Sequence, residues 1–245
     1  VLKKIYVFIS LVLLLAIISF LTTKEEAAAN RSRQYYEEAG QVVWDIHTDQ
    51  KVLALTFDDG PHKEYTSEIL DLLALHKAKA TFFIIGENAK KNPELIERID
   101  TDGHEIANHT YTHPLKTTVP KLLKEIEQTS ELLYQITGNR PKLFRPVGGQ
   151  YTDAMIDAIA DSGYKVVMWS WHLDTEDWKE PGVEKIVRIV NSAKEGDVIL
   201  FHDGGGNREQ TVEALRQVLP KLQEQGYTFV TISELLAIQQ STIQK

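Results

Sequence analysis

His109 and His113 stand four residues apart, and Asp59 lies upstream of them in the run Thr56-Phe57-Asp58-Asp59-Gly60-Pro61. Two imidazoles and one carboxylate, with a further position left for water, make the donor set of a catalytic Zn²⁺, whose bound water ionises near neutrality. Taken alone, the histidine pair is equally two unrelated loop residues, and Asp-Asp-Gly-Pro is ordinary turn chemistry. Charge is what connects them. Adjacent carboxylates repel unless a cation separates their roles, which would bind Asp59 and leave Asp58 free as a base. His202 ends the apolar run Ile199–Phe201 just before glycines 204–206, so it is either a satisfied core histidine or a group facing a cleft. The triglycine lacks the Lys-Ser/Thr of a phosphate loop. Trp169, Trp171 and Trp178 crowd one stretch, either as core or as a wall on which a sugar ring stacks.

The elements that must position these groups follow from the apolar pattern. Short runs suited to buried parallel strands occur at 52–57, 80–85, 105–108, 142–145, 165–170, 198–201 and 228–231, with helical patterns between them. Asn92-Pro93 reads as a helix start, and Leu122, Leu123, Ile126, Leu133 and Ile136 share one helical face that ends at Gly138. Seven strands, each followed by a helix, predict an α/β barrel or an open parallel sheet. Asp58 and Asp59 follow the first strand, His109 and His113 the third, and Arg145 ends the fourth. Asp174 and Asp177 follow the fifth, and His202-Asp203 end the sixth. All fall at carboxyl ends of strands, the face on which barrel enzymes gather their catalytic groups.

The chain has 245 residues, enough for one domain with a sizeable core. It has no Cys, which excludes thiolate zinc sites, iron–sulfur clusters, cysteine nucleophiles and disulfides. Net charge is −8, with 35 acidic against 27 basic side chains, and no basic stripe exists to bind a phosphate backbone. Nucleic acid is therefore excluded as a partner. No Gly-x-Ser-x-Gly occurs, which removes the usual serine esterase.

Residues 5–23 carry no charge and follow Lys3-Lys4. A helix of that length spans about 28 Å, close to the ~30 Å hydrocarbon core of a bilayer. Residues 1–29 are thus expected to be a membrane anchor or a signal peptide cleaved at Ala27-Ala28-Ala29; the length favours the anchor. In either case the body is expected beyond the cytoplasmic membrane. Residues 30–48 read as a linker or stalk, 49–238 as the catalytic domain and 239–245 as a tail.

The order Thr-Phe-Asp-Asp-Gly, His-x-x-x-His, Arg-Pro-x-x-Gly, Asp-x-x-Asp-Trp, Leu-x-His resembles the polysaccharide deacetylases of the NodB-homology type, the family-four carbohydrate esterases. The resemblance runs from about Lys51 to Leu236. It implies a distorted (β/α)₇ barrel and metal-dependent hydrolysis of the acetamide of N-acetylated aminosugars; for an exported enzyme of this type the expected substrate is peptidoglycan first and chitin oligomers second. It also implies that Asp59, His109 and His113 hold the metal, usually zinc. Asp58 would be the catalytic base, oriented by Arg145, and His202 the acid, supported by Asp177. Trp178 and Leu200 would line the groove and the acetyl pocket. One motif departs: where the family often has Arg-Pro-Pro-Tyr-Gly, this chain reads Arg145-Pro146-Val147-Gly148-Gly149. The aromatic wall is gone, while the oxyanion N–H can still come from Gly148. A non-haem iron oxygenase shares the ligand types but not the strand–helix alternation. A catalytically inactive sugar-binding homologue would have no reason to keep base, ligands and acid together.

Overall fold

The computed structural model describes residues 31–243. In chain order the elements are helix α1 (Arg33–Glu38), strands β1 (Val42–Val43) and β2 (Val52–Asp58), α2 (Tyr65–Leu75), β3 (Ala80–Ile84), α3 (Gly86–Lys91), α4 (Pro93–Thr101), β4 (Glu105–Asn108), α5 (Val119–Thr137), β5 (Leu143–Phe144), α6 (Asp153–Asp161), β6 (Lys165–Val167), α7 (Val183–Val190), β7 (Val198–His202), α8 (Glu209–Glu224), β8 (Thr228–Phe229) and α9 (Ile232–Ile243). Every strand pairing is parallel, in the order β1-β6-β5-β4-β3-β2-β7, with β8 against the start of β2.

All seven residues of β2 are buried, as expected of a strand covered on both faces. Its side chains alternate between two environments. Leu53, Leu55 and Phe57 point to the helix-side core, where Phe57 stacks on Phe82 and Phe201. Val52 and Ala54 point to the second core with Val198 and Leu200. The same alternation puts Thr56 and Asp58 on that second side. The sheet curls, and the segment after β6 comes back to β7: Ser170 N–H donates to Val198 O at 3.0 Å, and Asp174 bridges Leu200. The result is a parallel α/β half-barrel whose edges are joined by these few contacts.

The sequence expectations for strand positions hold at all seven places, with shorter bounds at four. The fourth run narrows to β5, and the fifth stops at Val167 because the chain turns into 3₁₀ segments at Trp171–Leu173 and Asp177–Lys179. α4 starts at Pro93, although the Asn92 side chain donates to Asn88 O and Pro61 O instead of capping it. α5 ends at Gly138 with φ +78°, a left-handed cap that suits glycine.

From residue 31 onward, the stretch read as a stalk is part of the body. β1 extends the sheet beside β6, Tyr36 and Trp44 are fully buried, and Arg31 and Tyr36 bind Asp153 at the start of α6. Two residues of strand and a six-residue helix are too short to give a periodic signal. Among the described residues no helix is long and apolar enough to cross a membrane; residues 5–23 and Ala27–Ala29 lie outside them.

Candidate active site and metal centre

Asp58 and His202 are register partners at the carboxyl ends of adjacent strands β2 and β7. Equivalent positions on neighbouring parallel strands face the same side, so a carboxylate and an imidazole meet at the rim of one cavity. After Asp58 the chain turns sharply, with Asp59 at φ +73°. The Asn88 side chain holds Asp59 O at 2.8 Å. The triglycine supplies the other side of this turn: a Cβ on Gly204 would sit 2.1 Å from Asp59 O, and one on Gly205 2.7 Å from Asp59 Oδ2. Glycines are therefore required for close packing against Asp59, a role the sequence did not disclose.

His109 follows β4 and His113 ends the next turn at φ +59°. The turn between them is pinned from α5, where Glu125 accepts the N–H groups of Tyr111 and Thr112 at 2.9 and 2.7 Å. Asp59, His109 and His113 bring one donor atom each to within 4.8 Å of one another. His109 Nδ1 lies 2.8 Å from Arg145 O, a carbonyl, so Nδ1 carries the hydrogen and Nε2 presents its lone pair. Asp59 Oδ1 lies 3.0 Å from His113 Nε2 and 3.5 Å from His109 Nε2, yet it is buried and in hydrogen-bond geometry with neither. Three donors converging without bonding one another fit a divalent cation. Burial would raise the Asp59 carboxyl, but His109 and His113 outweigh it and hold the group well below the usual carboxylate range.

Asp58 accepts from Arg145 Nη1 at 2.7 Å. That guanidinium is fully buried and also donates to Thr56 Oγ1, Val167 O and Met168 O, with its plane 4.0 Å over the Phe83 ring. Burial lowers its pKa without threatening its charge. A buried ion pair with this many hydrogen bonds fixes the direction of the carboxylate.

His202 Nδ1 lies 2.7 Å from Asp177 Oδ1, and Asp177 Oδ2 accepts both the His202 N–H at 2.9 Å and Thr211 Oγ1 at 2.7 Å. Burial works to lower His202, but the Asp177 bond and charge, helped by Asp58 and Asp59, push it up to about 9. Asp177 is held low by the same contact despite its burial. Neighbouring Asp203 is pushed up to about 7 by burial, against its bond from Thr66.

These groups open into a cavity of about 340 Å³. Leu200 forms its buried wall and half-exposed Trp178 its rim. Trp169 also lines it and carries an Nε1–H without a partner, whereas Trp171 is exposed and outside it. Gly148 faces the cavity at φ +58°, and its N–H donates to no backbone carbonyl among the described residues. All ten residues singled out from the sequence as catalytic, oxyanion, metal or groove candidates lie in or directly behind this cavity: Asp58, Asp59, His109, His113, Arg145, Gly148, Asp177, Trp178, Leu200 and His202. The sequence reading missed Thr211 and Glu125, which act through contacts between separate segments, and Leu115 and Arg208, which line the cavity; no local motif marks them.

A family model described as polysaccharide deacetylase matches residues 45–167. A Bacillus cereus peptidoglycan-N-acetylglucosamine deacetylase is 46% identical over 83% of this chain and 97% of its own. A chitooligosaccharide deacetylase of Rhizobium leguminosarum bv. trifolii is 32% identical over 81% of this chain and 95% of its own. The crystal structure of the Bc1960 peptidoglycan N-acetylglucosamine deacetylase, in complex with an N-hydroxybenzamide, superposes with a TM-score of 0.79 at 35% identity. It covers 84% of this chain and 97% of that one.

Proposed function

This chain belongs to the polysaccharide deacetylase family, and from that premise we propose that it hydrolyses the acetamide of N-acetylated aminosugars in peptidoglycan, releasing acetate and leaving a free amine. The observation that carries the reading is the register pairing of Asp58 with His202 beside the Asp59–His109–His113 donor set in one cavity. A divalent ion on those three residues, zinc by their oxygen and nitrogen donors, would supply Lewis acidity and an acidified water.

The rest of the chemistry belongs to the chain. Asp58, aimed by Arg145, takes a proton from the water whose oxygen forms the new bond to the acetyl carbon. The Gly148 N–H is a donor for the carbonyl oxygen as it becomes negative. His202, whose proton Asp177 helps to hold, delivers it to the sugar nitrogen as the C–N bond breaks. Trp178 offers a face for a sugar ring, and Leu200 bounds the acetyl group.

Incubation of defined peptidoglycan and chitin fragments with the protein, followed by mass spectrometry, tests this. The expected result is loss of one acetyl mass from N-acetylated residues of peptidoglycan. Chitin oligomers are the second reading, favoured by the similarity to the chitooligosaccharide deacetylase. We further place the catalytic body outside the cytoplasmic membrane, because the charge-free run 5–23 after Lys3-Lys4 suits export and because the wall polymer lies there.

A further inference from the structure

A second cavity, of about 240 Å³, lies next to the catalytic one. Leu115 lines both. The turn after Arg145 forms the remaining partition: Pro146, Val147 and Gln150 face the second cavity, and Gly148 and Gly149 the first. That partition is thin. Gly148 has no side chain, and a Cβ there would meet only the Leu115 and Gln150 side-chain ends, at 3.9 Å. Leu115 itself is an exposed apolar side chain standing between two clefts.

The lining of the second cavity is apolar at its base, with Leu122, Phe144, Met155 and Ile159. Its one charged group is Lys116, which is exposed and pairs with no carboxylate among the described residues. No acidic side chain lines it, although the chain as a whole carries −8. At this volume it is smaller than the roughly 300–1,000 Å³ of pockets that enclose a whole ligand. It suits one substituent of a molecule already held in the neighbouring groove.

We propose that this cavity is a subsite for a small alkyl group bearing a carboxylate, attached to the saccharide whose acetamide occupies the catalytic cavity. The alkyl part packs on Met155 and Leu122, and the carboxylate meets Lys116 at the rim. The 3-O-lactyl ether of muramic acid is a group of this chemistry wherever its carboxyl is not amide-linked to a peptide, and a plain N-acetylglucosamine polymer has none. The inference rests on the deacetylase reading and deepens it: the enzyme recognises glycan strands freed of their peptides, through the acid on the sugar beside the reaction.

The test compares a neutral N-acetylglucosamine tetramer, an alternating tetrasaccharide of the same length carrying lactyl carboxylates, and the methyl ester of the latter. Binding is followed by tryptophan fluorescence and turnover by acetate release, with purified full-length holoenzyme, Lys116→Glu and Met155→Trp. We expect the acid to bind at least fivefold more tightly than the ester or the neutral tetramer. Each variant should cut that advantage about five- to tenfold, in Kd and KM with kcat little moved. Lys116→Glu is a surface change and keeps the test valid if Met155→Trp folds poorly. Equal affinity for acid and ester, or an advantage that survives Lys116→Glu, overturns the subsite. A preference in binding without acetate release from any saccharide would instead overturn the deacetylase reading and leave the subsite standing.

Discussion

Arg145 holds His109 with its main chain and Asp58 with its side chain: its carbonyl accepts from His109 Nδ1 at 2.8 Å, and its guanidinium reaches the Asp58 carboxylate at 2.7 Å. One residue thereby sets the tautomer of a candidate metal ligand and the aim of the candidate base.

The two roles separate on mutation. Arg145→Lys keeps the carbonyl but loses the fork that reaches Thr56, Asp58 and Met168 together. Metal content should stay near wild type while kcat falls about 10²-fold or more. A Lys variant with kcat within a few-fold of wild type would show that Asp58 needs no such aiming.

Metal dependence is the most direct expectation. Chelation should abolish acetate release and Zn²⁺ should restore it, and His109→Ala should bind no metal by elemental analysis. Asp58→Asn should retain the metal and lose about 10²–10⁴ in kcat, since an amide accepts no proton. Full turnover by a sample verified metal-free contradicts the assignment.

The pH profile reports on His202. Its raised value, about 9 without a bound cation, means the imidazolium is lost on the alkaline side of its ordinary value. A bound cation offsets Asp58 and Asp59, so the alkaline limb of kcat should lie between the ordinary value near 6.5 and about 9. Asp177→Asn should move that limb to lower pH. The same linkage makes the His202 contribution to stability complete below about 6.5 and lost as pH rises through about 9, while that of Asp177, held low, is lost only in acid. A limb that does not move in Asp177→Asn would detach Asp177 from the proton donor.

Gly148 and Gly204 should respond differently to the same substitution. Gly148→Ala places a Cβ in ordinary contact with Leu115 and Gln150 at φ +58°, so a cost of about 1 kcal/mol in stability is expected with kcat nearly kept, because the N–H remains. Gly148→Pro deletes that N–H and cannot adopt the angle, so kcat should fall about 10²–10³-fold alongside a loss of stability. Gly204→Ala drives a methyl into the Asp59 carbonyl and should weaken metal binding as well as folding. Calorimetry and metal analysis on the three variants separate these outcomes.

Much of the site was legible in the sequence because each of its groups lies at or just after the end of a strand whose apolar run could be read. The buried alternation of β2 alone places Asp58 on the same side as Thr56. The first strand and helix were not legible, since Tyr36 and Trp44 earn their burial from β6 and α6, more than a hundred residues away. Glu125, Thr211 and the glycine packing on Asp59 were hidden for the same reason: each is a contact between distant segments without a motif. The lost aromatic at position 148 could be read, but not the left-handed backbone that glycine permits there.

The close seating of Gly204 and Gly205 on Asp59 also limits how such an enzyme can diversify. The strand ends bearing Asp58-Asp59 and His202 are locked to each other with no room for a single added methyl group, so neither can drift without the other. Leu115, Val147, Gly148 and Gln150 also line these cavities without that constraint, whereas Gly149, whose Cβ would meet Trp169 at 2.8 Å, shares it. New saccharide preferences should therefore be acquired by rewriting the unconstrained positions, with the chemistry carried along unaltered.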